Sequence, residues 1–174
     1  MGAVFAMKSI SINEALKYSS PHQVSVICAV TPEGITNLTP VAWWTYLESE
    51  PAMVGFSIGK ENYAWELVTK NRRAVLSLPG EAIAKEVLLC GGVSGRDVNK
   101  AEKFGIELVD APVKYPVHSR LVFVCAVENM VDVGDCRFFI CKADEILFNE
   151  NERHLYAHGS SGLVTFQGNS NSTV

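Results

Sequence analysis

The sequence predicts a mainly β fold, a six-stranded β-barrel with short helical excursions. Three observations lead there. Segments rich in β-branched and aromatic residues recur with turn signals between them. Strands and helices do not alternate regularly, which argues against a doubly wound sheet. The helical segments are few and short.

Each element can be read in order. Ser11–Tyr18 ("SINEALKY") can make a short helix. Gln23–Val30 ("QVSVICAV") is a strand that ends at the turn signal "TPEG". The next strand runs from about Ile35 to Leu47 and carries Trp43 and Trp44 side by side. Neighbours on a strand face opposite ways. Trp43 therefore shares a face with Val41 and Thr45, and Trp44 with Ala42 and Tyr46. Two rings on opposite faces ask for two apolar environments, which a barrel core and a planar ligand or subunit contact would supply.

Ala52–Ile58 is a third strand. In "ENYAWELVTKN" the period changes: Ala64, Leu67 and Val68 fall at helical spacing behind Asn62 as N-cap. Arg73–Pro79 returns to strand, and Glu81–Leu89 is helical. In "GGVSGRDVNKAEKFG", Ser94 and Asp97 have capping-box spacing, and Gly105 is a natural helix stop. The segment "RLVFVCAVENMVDVGDCRFFICKADEILF" reads as two long strands joined near "DVGD". Leu121–Val127 is apolar on both alternating faces, so both must be covered; a second subunit is the simplest cover.

With 174 residues the chain fits a single domain, with residues 1–10 and 167–174 expected to fray. A hydrophobic share of 48 % allows a core without disulfides or metal. The net charge of -4 lacks the basic stripe of a nucleic-acid surface. No apolar run is long enough to span a membrane, and the opening "MGAVFAMK" is a poor signal peptide. Five cysteines, mostly in apolar runs and without a Cys-x-x-Cys, read as reduced thiols of a cytoplasmic protein. The four histidines show no zinc spacing, so no metal is expected.

No catalytic residues can be assigned. "CGGVSG" lacks the order of a dinucleotide fingerprint, and "HGSSG" lacks the setting of a nucleophile elbow. Two anion sites are more promising. Arg96 and Lys100 stand four apart in what should be the first turns of a helix, where its dipole disfavours cations; a bound anion would explain them, as would a solvated surface pair. Ser57, Gly59 and Lys60 precede a second helix N-terminus, the parts that hold a phosphate or simply connect strand to helix.

Taken in order, these pieces resemble a known family. Asn37, Thr39, Pro40, the run Trp43-Trp44-Thr45 and Pro51 are followed by "FSIGKENYAWELV", "SGRDVNKAEKFGIELVDAP" and "VDVGDCRFFICKADEILF". The set resembles the flavin reductase-like, FMN-binding split-barrel proteins, most closely the flavoredoxin branch, over about residues 20–165. The resemblance implies a Greek-key split barrel, a homodimer, and one FMN per subunit near the dimer interface. It implies that Asn37, Thr39 and Trp43 contact the flavin and that Pro40, Val41 and Ala42 run beside its ring. Ser57, Lys60 and Tyr63 match the phosphate segment, Lys100 with Arg96 the basic residues of the glycine-rich excursion, and Phe166 an aromatic cover. In two places the chain departs from the pattern: Ala64 stands where the family often has Thr, and Cys136 where it often has His.

The implied activity is electron transfer from NAD(P)H, as transient donor, through FMN to an acceptor. Hydride transfer to flavin needs no protein acid or base at the reacting nitrogen, so the missing triad is expected. Two other readings stay open: an FMN-binding electron carrier served by a redox protein, and a cofactor-less barrel dimer acting as an interaction module.

Overall fold

The computed structural model describes residues 7–158 and 162–165. Phe166, the 167–174 tail and the centre of "HGSSG" lie outside the described residues. The chain runs through α1 (Ile12–Tyr18), β1 (His22–Gln23), β2 (Ser25–Val30), β3 (Thr36–Val41), β4 (Trp44–Ser49), β5 (Ala52–Gly59), α2 (Tyr63–Asn71) and β6 (Arg73–Pro79). After a 3-10 turn at Glu81–Ile83 come α3 (Ala84–Gly91), α4 (Lys100–Phe104), β7 (Leu108–Val109), β8 (Tyr115–Pro116), β9 (Ser119–Val133), β10 (Cys136–Phe148), β11 (Leu155–Ala157) and β12 (Leu163–Thr165).

The architecture is mainly β, as the sequence predicts. Its main sheet is antiparallel, in the order β3-β2-β6-β9-β10-β5-β4. Among the described residues it has seven strands rather than six. The single strand expected from Ile35 to Leu47 is two: β3 ends at Val41, and β4 begins at Trp44. Pro40 has no N–H to offer on the open edge of β3, a position to which prolines in sheets are confined. The sheet curls until β3 and β5 approach each other, and at the bend the Ser57 amide donates to the Trp43 carbonyl at 2.9 Å.

Strand alternation divides the core into two layers. Ile27, Ala74, Leu76, Phe123 and Cys125 point into the barrel, where Phe56 and Phe139 stack with ring centroids 5.3 Å apart. Val26, Cys28, Val75 and Val122 point outward, against Ile83, Val87 and Cys90 of the α3 region, Ala101 of α4, and Ile106. Of the double-sided apolar strand, Val122 is buried in this outer layer by the chain's own side chains, while Val124 and Ala126 on the same face stay half-buried.

The helix signals have mixed outcomes. Ser11 and Glu14 form a reciprocal capping box on α1. Ala64, Leu67 and Val68 are buried on α2, as their spacing predicts. Ser94 caps no helix: its hydroxyl accepts from the Arg96 amide in a turn, and α4 starts only after Asn99, whose side chain accepts from the Glu102 amide. Arg96 therefore precedes the helix, and it does not share a helical face with Lys100. Gly105 ends α4 with φ of 68°, in the left-handed region where glycine pays no Cβ penalty.

Candidate functional site

The opening between β3 and β5 holds a cleft with two adjoining parts that share Thr39 and Asn62. The first part, about 210 Å³, is lined by Thr39–Trp43, by Ser57–Gly59 and by Asn62. The second, about 230 Å³, is lined by Asn37, Thr39, Glu61–Tyr63, the Gly91–Gly95 loop and Lys100. The first wall is backbone, proline, small aliphatic side chains and an indole. The second is amide, hydroxyl, glycine and ammonium.

The tryptophan pair divides between the two environments. Trp44 turns into the barrel, packing on the interior cluster with its ring centroid 5.2 Å from Tyr46 and 6.1 Å from Phe123. Trp43 falls at the bend between the strands. It stands at the cleft and is 53 % exposed. A ring that large left half in water is an available flat wall.

The polar part is built around Asn37, which is only 3 % exposed. Its Nδ2 donates to Thr39 Oγ1 at 3.1 Å, while its Oδ1 is buried with no hydrogen-bond partner. Buried polar groups are rarely left so. Gly95 packs directly against it: a Cβ built on Gly95 would lie 1.8 Å from Asn37 Oδ1. Glycine at 95 is therefore a packing requirement that brings the loop backbone close to β3.

Lys100 is 4 % exposed, and its Nζ donates to the Cys90 carbonyl at 2.8 Å. That bond uses one of three donors. Burial lowers the lysine pKa, opposed by the Cys90 thiol. Burial also pushes the Cys90 thiol up to about 11, so at neutral pH it carries no compensating charge. At α2 the N-cap Asn62 makes no side-chain capping bond; of the first-turn amides, that of Trp65 donates to the Asn62 carbonyl at 3.1 Å, and Asn62 and Tyr63 at the helix start line the cleft. A buried cation with spare donors, an open helix N-terminus and an orphaned amide oxygen suit a ligand with an anionic end and hydroxyl groups. Glu61 also lines this part; its carboxylate accepts from the Asn62 side-chain amide at 3.4 Å.

Of the residues singled out from sequence, Asn37, Thr39, Pro40, Val41, Ala42, Trp43, Ser57, Tyr63 and Lys100 line this cleft. Two do not. The Lys60 ammonium donates to the Gly134 carbonyl at 3.0 Å and pairs with Asp132 at 3.5 Å, tied to the β9–β10 hairpin. Arg96 stacks over the Tyr63 ring at 4.8 Å, pairs with Glu66 at 3.0 Å, and lines a neighbouring cavity. Neither departure residue is a lining residue. Ala64 is fully buried in the interior cluster, and Cys136 is half-buried opposite Gly59. Sequence reasoning missed Asn62 and the Gly91–Gly95 loop as walls. The signal for the loop was its glycine density, which also fits a plain turn.

A family model of the flavin reductase like domain matches residues 18–165. The chain belongs to this family. Among curated relatives, an uncharacterized protein of Archaeoglobus fulgidus is 28 % identical over 137 residues, 77 % of this chain and 76 % of its own. An uncharacterized protein of Pyrococcus abyssi is 29 % identical over 144 residues, 75 % of this chain and 83 % of its own. Among solved structures, flavoredoxin from Methanosarcina acetivorans superposes with a TM-score of 0.81 at 19 % identity, covering 97 % of this chain and 96 % of that one. An FMN-binding protein from Thermus thermophilus gives 0.82 at 18 % identity, covering 99 % and 100 %. At these identities the structural likeness speaks for the split-barrel fold of this flavin reductase-like chain. Among its described residues no helix is long and apolar enough to cross a membrane.

Proposed function

We propose that the chain is a flavin-binding oxidoreductase whose cofactor is FMN. The joined cleft carries this reading. Its aromatic, backbone-lined part continues into a polar part with a buried lysine and an open helix N-terminus. FMN has a flat ring and a doubly charged tail, which ask for those two environments in sequence. Pro40, Val41, Ala42, Trp43 and Ser57 would hold the ring. Asn37 and Thr39 would meet the polar chain that follows it. Tyr63, the Gly91–Gly95 loop and Lys100 would hold the phosphate. The likeness to an FMN-binding protein and to flavoredoxins supports the choice of cofactor.

When bound, FMN supplies two-electron chemistry, with NAD(P)H as the proposed transient donor. The chain's own part is binding, orientation and electrostatics. Backbone groups of Pro40–Trp43 set the polarity at the ring edge, and Lys100 contributes a positive charge whose desolvation an anion would offset. Trp43 keeps water from one side of the slot. We also propose a homodimer: β4 is an edge strand with Tyr46 and Leu47 exposed beside Trp43. Sedimentation of the purified protein tests it.

The deciding experiment is a visible spectrum of freshly purified protein, with mass identification of whatever denaturation releases. FMN and its absorption bands are expected; protein that stays colourless after added FMN overturns the proposal. Steady-state oxidation of NADH and NADPH by the loaded protein then tests the donor. Turnover of neither would leave a flavin-bound carrier fed by a redox protein.

A further inference from the structure

Behind the polar part of the cleft lies a second, larger cavity of about 440 Å³, lined among others by Thr31, Glu33, Glu66, Arg96, Asp97 and Asn99. The two share Tyr63 and Gly95 as lining, so these residues form the partition between them. Arg96 braces that partition from behind. Its guanidinium lies 4.8 Å over the Tyr63 ring, Nη1 donates to the Glu61 carbonyl at 3.2 Å, and Nη2 donates to Glu66 Oε2 at 3.0 Å. Arg96 is the cation among the residues lining the larger cavity, and Glu33, Glu66 and Asp97 are its carboxylates.

We infer that the Arg96–Glu66 pair is a latch that ends the cleft at one phosphate and so selects a mononucleotide over a dinucleotide flavin. The inference rests on the FMN reading above. In FAD the phosphate is joined through an anhydride bond to a second phosphate that carries an adenosine, so the ligand must continue past the position where FMN stops. Here that direction is closed by Tyr63 with the stacked guanidinium. The space beyond is wide enough for a nucleotide, but its one cation is already neutralised by Glu66, and two further carboxylates face any second phosphate. Obstruction together with like charge rejects a competitor without adding any contact to the preferred ligand. Arg96 is thus a positioning residue, held by Glu66 away from the anion that its charge suggests it should bind.

The test titrates wild type, Glu66→Gln and Glu66→Gln/Arg96→Ala with FMN and with FAD, following flavin fluorescence. Circular dichroism checks the fold of each; Glu66 is 54 % exposed, and the change is conservative. Wild type is expected to bind FMN at least tenfold more tightly than FAD. Glu66→Gln releases Arg96 and removes a carboxylate, and should raise the ratio of FAD to FMN affinity at least fivefold. Removing Arg96 as well takes away the obstruction but also the cation that would meet the second phosphate, so the double variant should gain less than half as much as Glu66→Gln. A ratio within twofold of wild type in Glu66→Gln overturns the latch, as does a gain in the double variant as large as that in Glu66→Gln. If Glu66→Gln does not fold, Arg96→Lys, which keeps the charge but cannot stack and bridge at once, should raise the ratio, and an unchanged ratio overturns the inference. Wild type that binds neither flavin overturns the FMN reading itself, an outcome distinct from FMN binding with an immovable ratio.

Discussion

The barrel has two kinds of seam. Along β6, β9 and β10 the strands are paired over long registers, and Val122 and Phe123 of β9 are buried in opposite layers of the core. Between β3 and β5 the pairing stops. There a buried amide oxygen has no partner, a buried ammonium has one carbonyl, and an indole stands half in water. The closed seam satisfies itself and specifies the fold. The open seam leaves its groups unsatisfied, and that is where a ligand gains from binding. Stability and the proposed function thus sit in different parts of one sheet, and substitutions should separate them.

The largest expected effect lies in the closed part. Phe139 is fully buried and stacked on Phe56, so Phe139→Ala should cost about 3–5 kcal/mol in denaturant unfolding. A loss below about 1 kcal/mol would mean that the barrel interior collapses around the gap. At the open seam, Lys100→Ala should weaken FMN binding by about 1–3 kcal/mol in a titration. Unchanged affinity would put the phosphate elsewhere. Gly95→Ala sharpens the contrast, because its methyl would strike Asn37 Oδ1. The loop must move away from β3, with an expected stability loss of about 1–3 kcal/mol and a parallel loss of flavin binding. Wild-type values for both would show that the loop has slack.

His154 is a reference point outside both seams. It lies in a bridge to Gly80, with both ring nitrogens buried and unpartnered, and burial, then Arg120, lowers its pKa to about 4. The unfolded histidine titrates near the ordinary 6.5, so the unfolded state takes up the proton first as the solution is acidified. Its contribution to stability is present above pH 6.5 and is lost as pH falls toward 4. Between pH 7 and 5 wild type should lose about 1–2 kcal/mol more than His154→Phe, measured by denaturant midpoints at each pH. The smallest effect belongs to Lys60→Ala. Its exposed pair with Asp132 should be worth about 0–1 kcal/mol, with little change in flavin affinity. A loss of affinity as large as that of Lys100→Ala would return Lys60 to the site.

Much of the site was legible where chemistry and position coincide. Pro40 to Trp43 stand out as a rigid, aromatic stretch, and they do line the cleft. Lys100 was legible as a cation near a glycine-rich loop, but its burial was not, since burial depends on α4 docking against β3. Lys60 and Arg96 look equally suited to an anion in the sequence. The structure gives each a carboxylate partner from a distant segment, Asp132 and Glu66. Charge is local, but the choice of counter-charge is not. Ser94 misled for a related reason: its spacing to Asp97 suits a capping box, yet the chain forms a turn and Asn99 caps the helix instead.

By itself the sequence determined the elements and their faces. Alternating apolar residues in β2, β6 and β9 dictate strands buried on both sides, because side-chain direction on a strand follows from backbone geometry alone. It also determined that Trp43 and Trp44 must part company. Only the tertiary structure decided what covers the outer layer, helices of the same chain, and which cations remain for a ligand. Those outcomes depend on which segments, dozens of residues apart, come within hydrogen-bonding distance, and no local pattern encodes that.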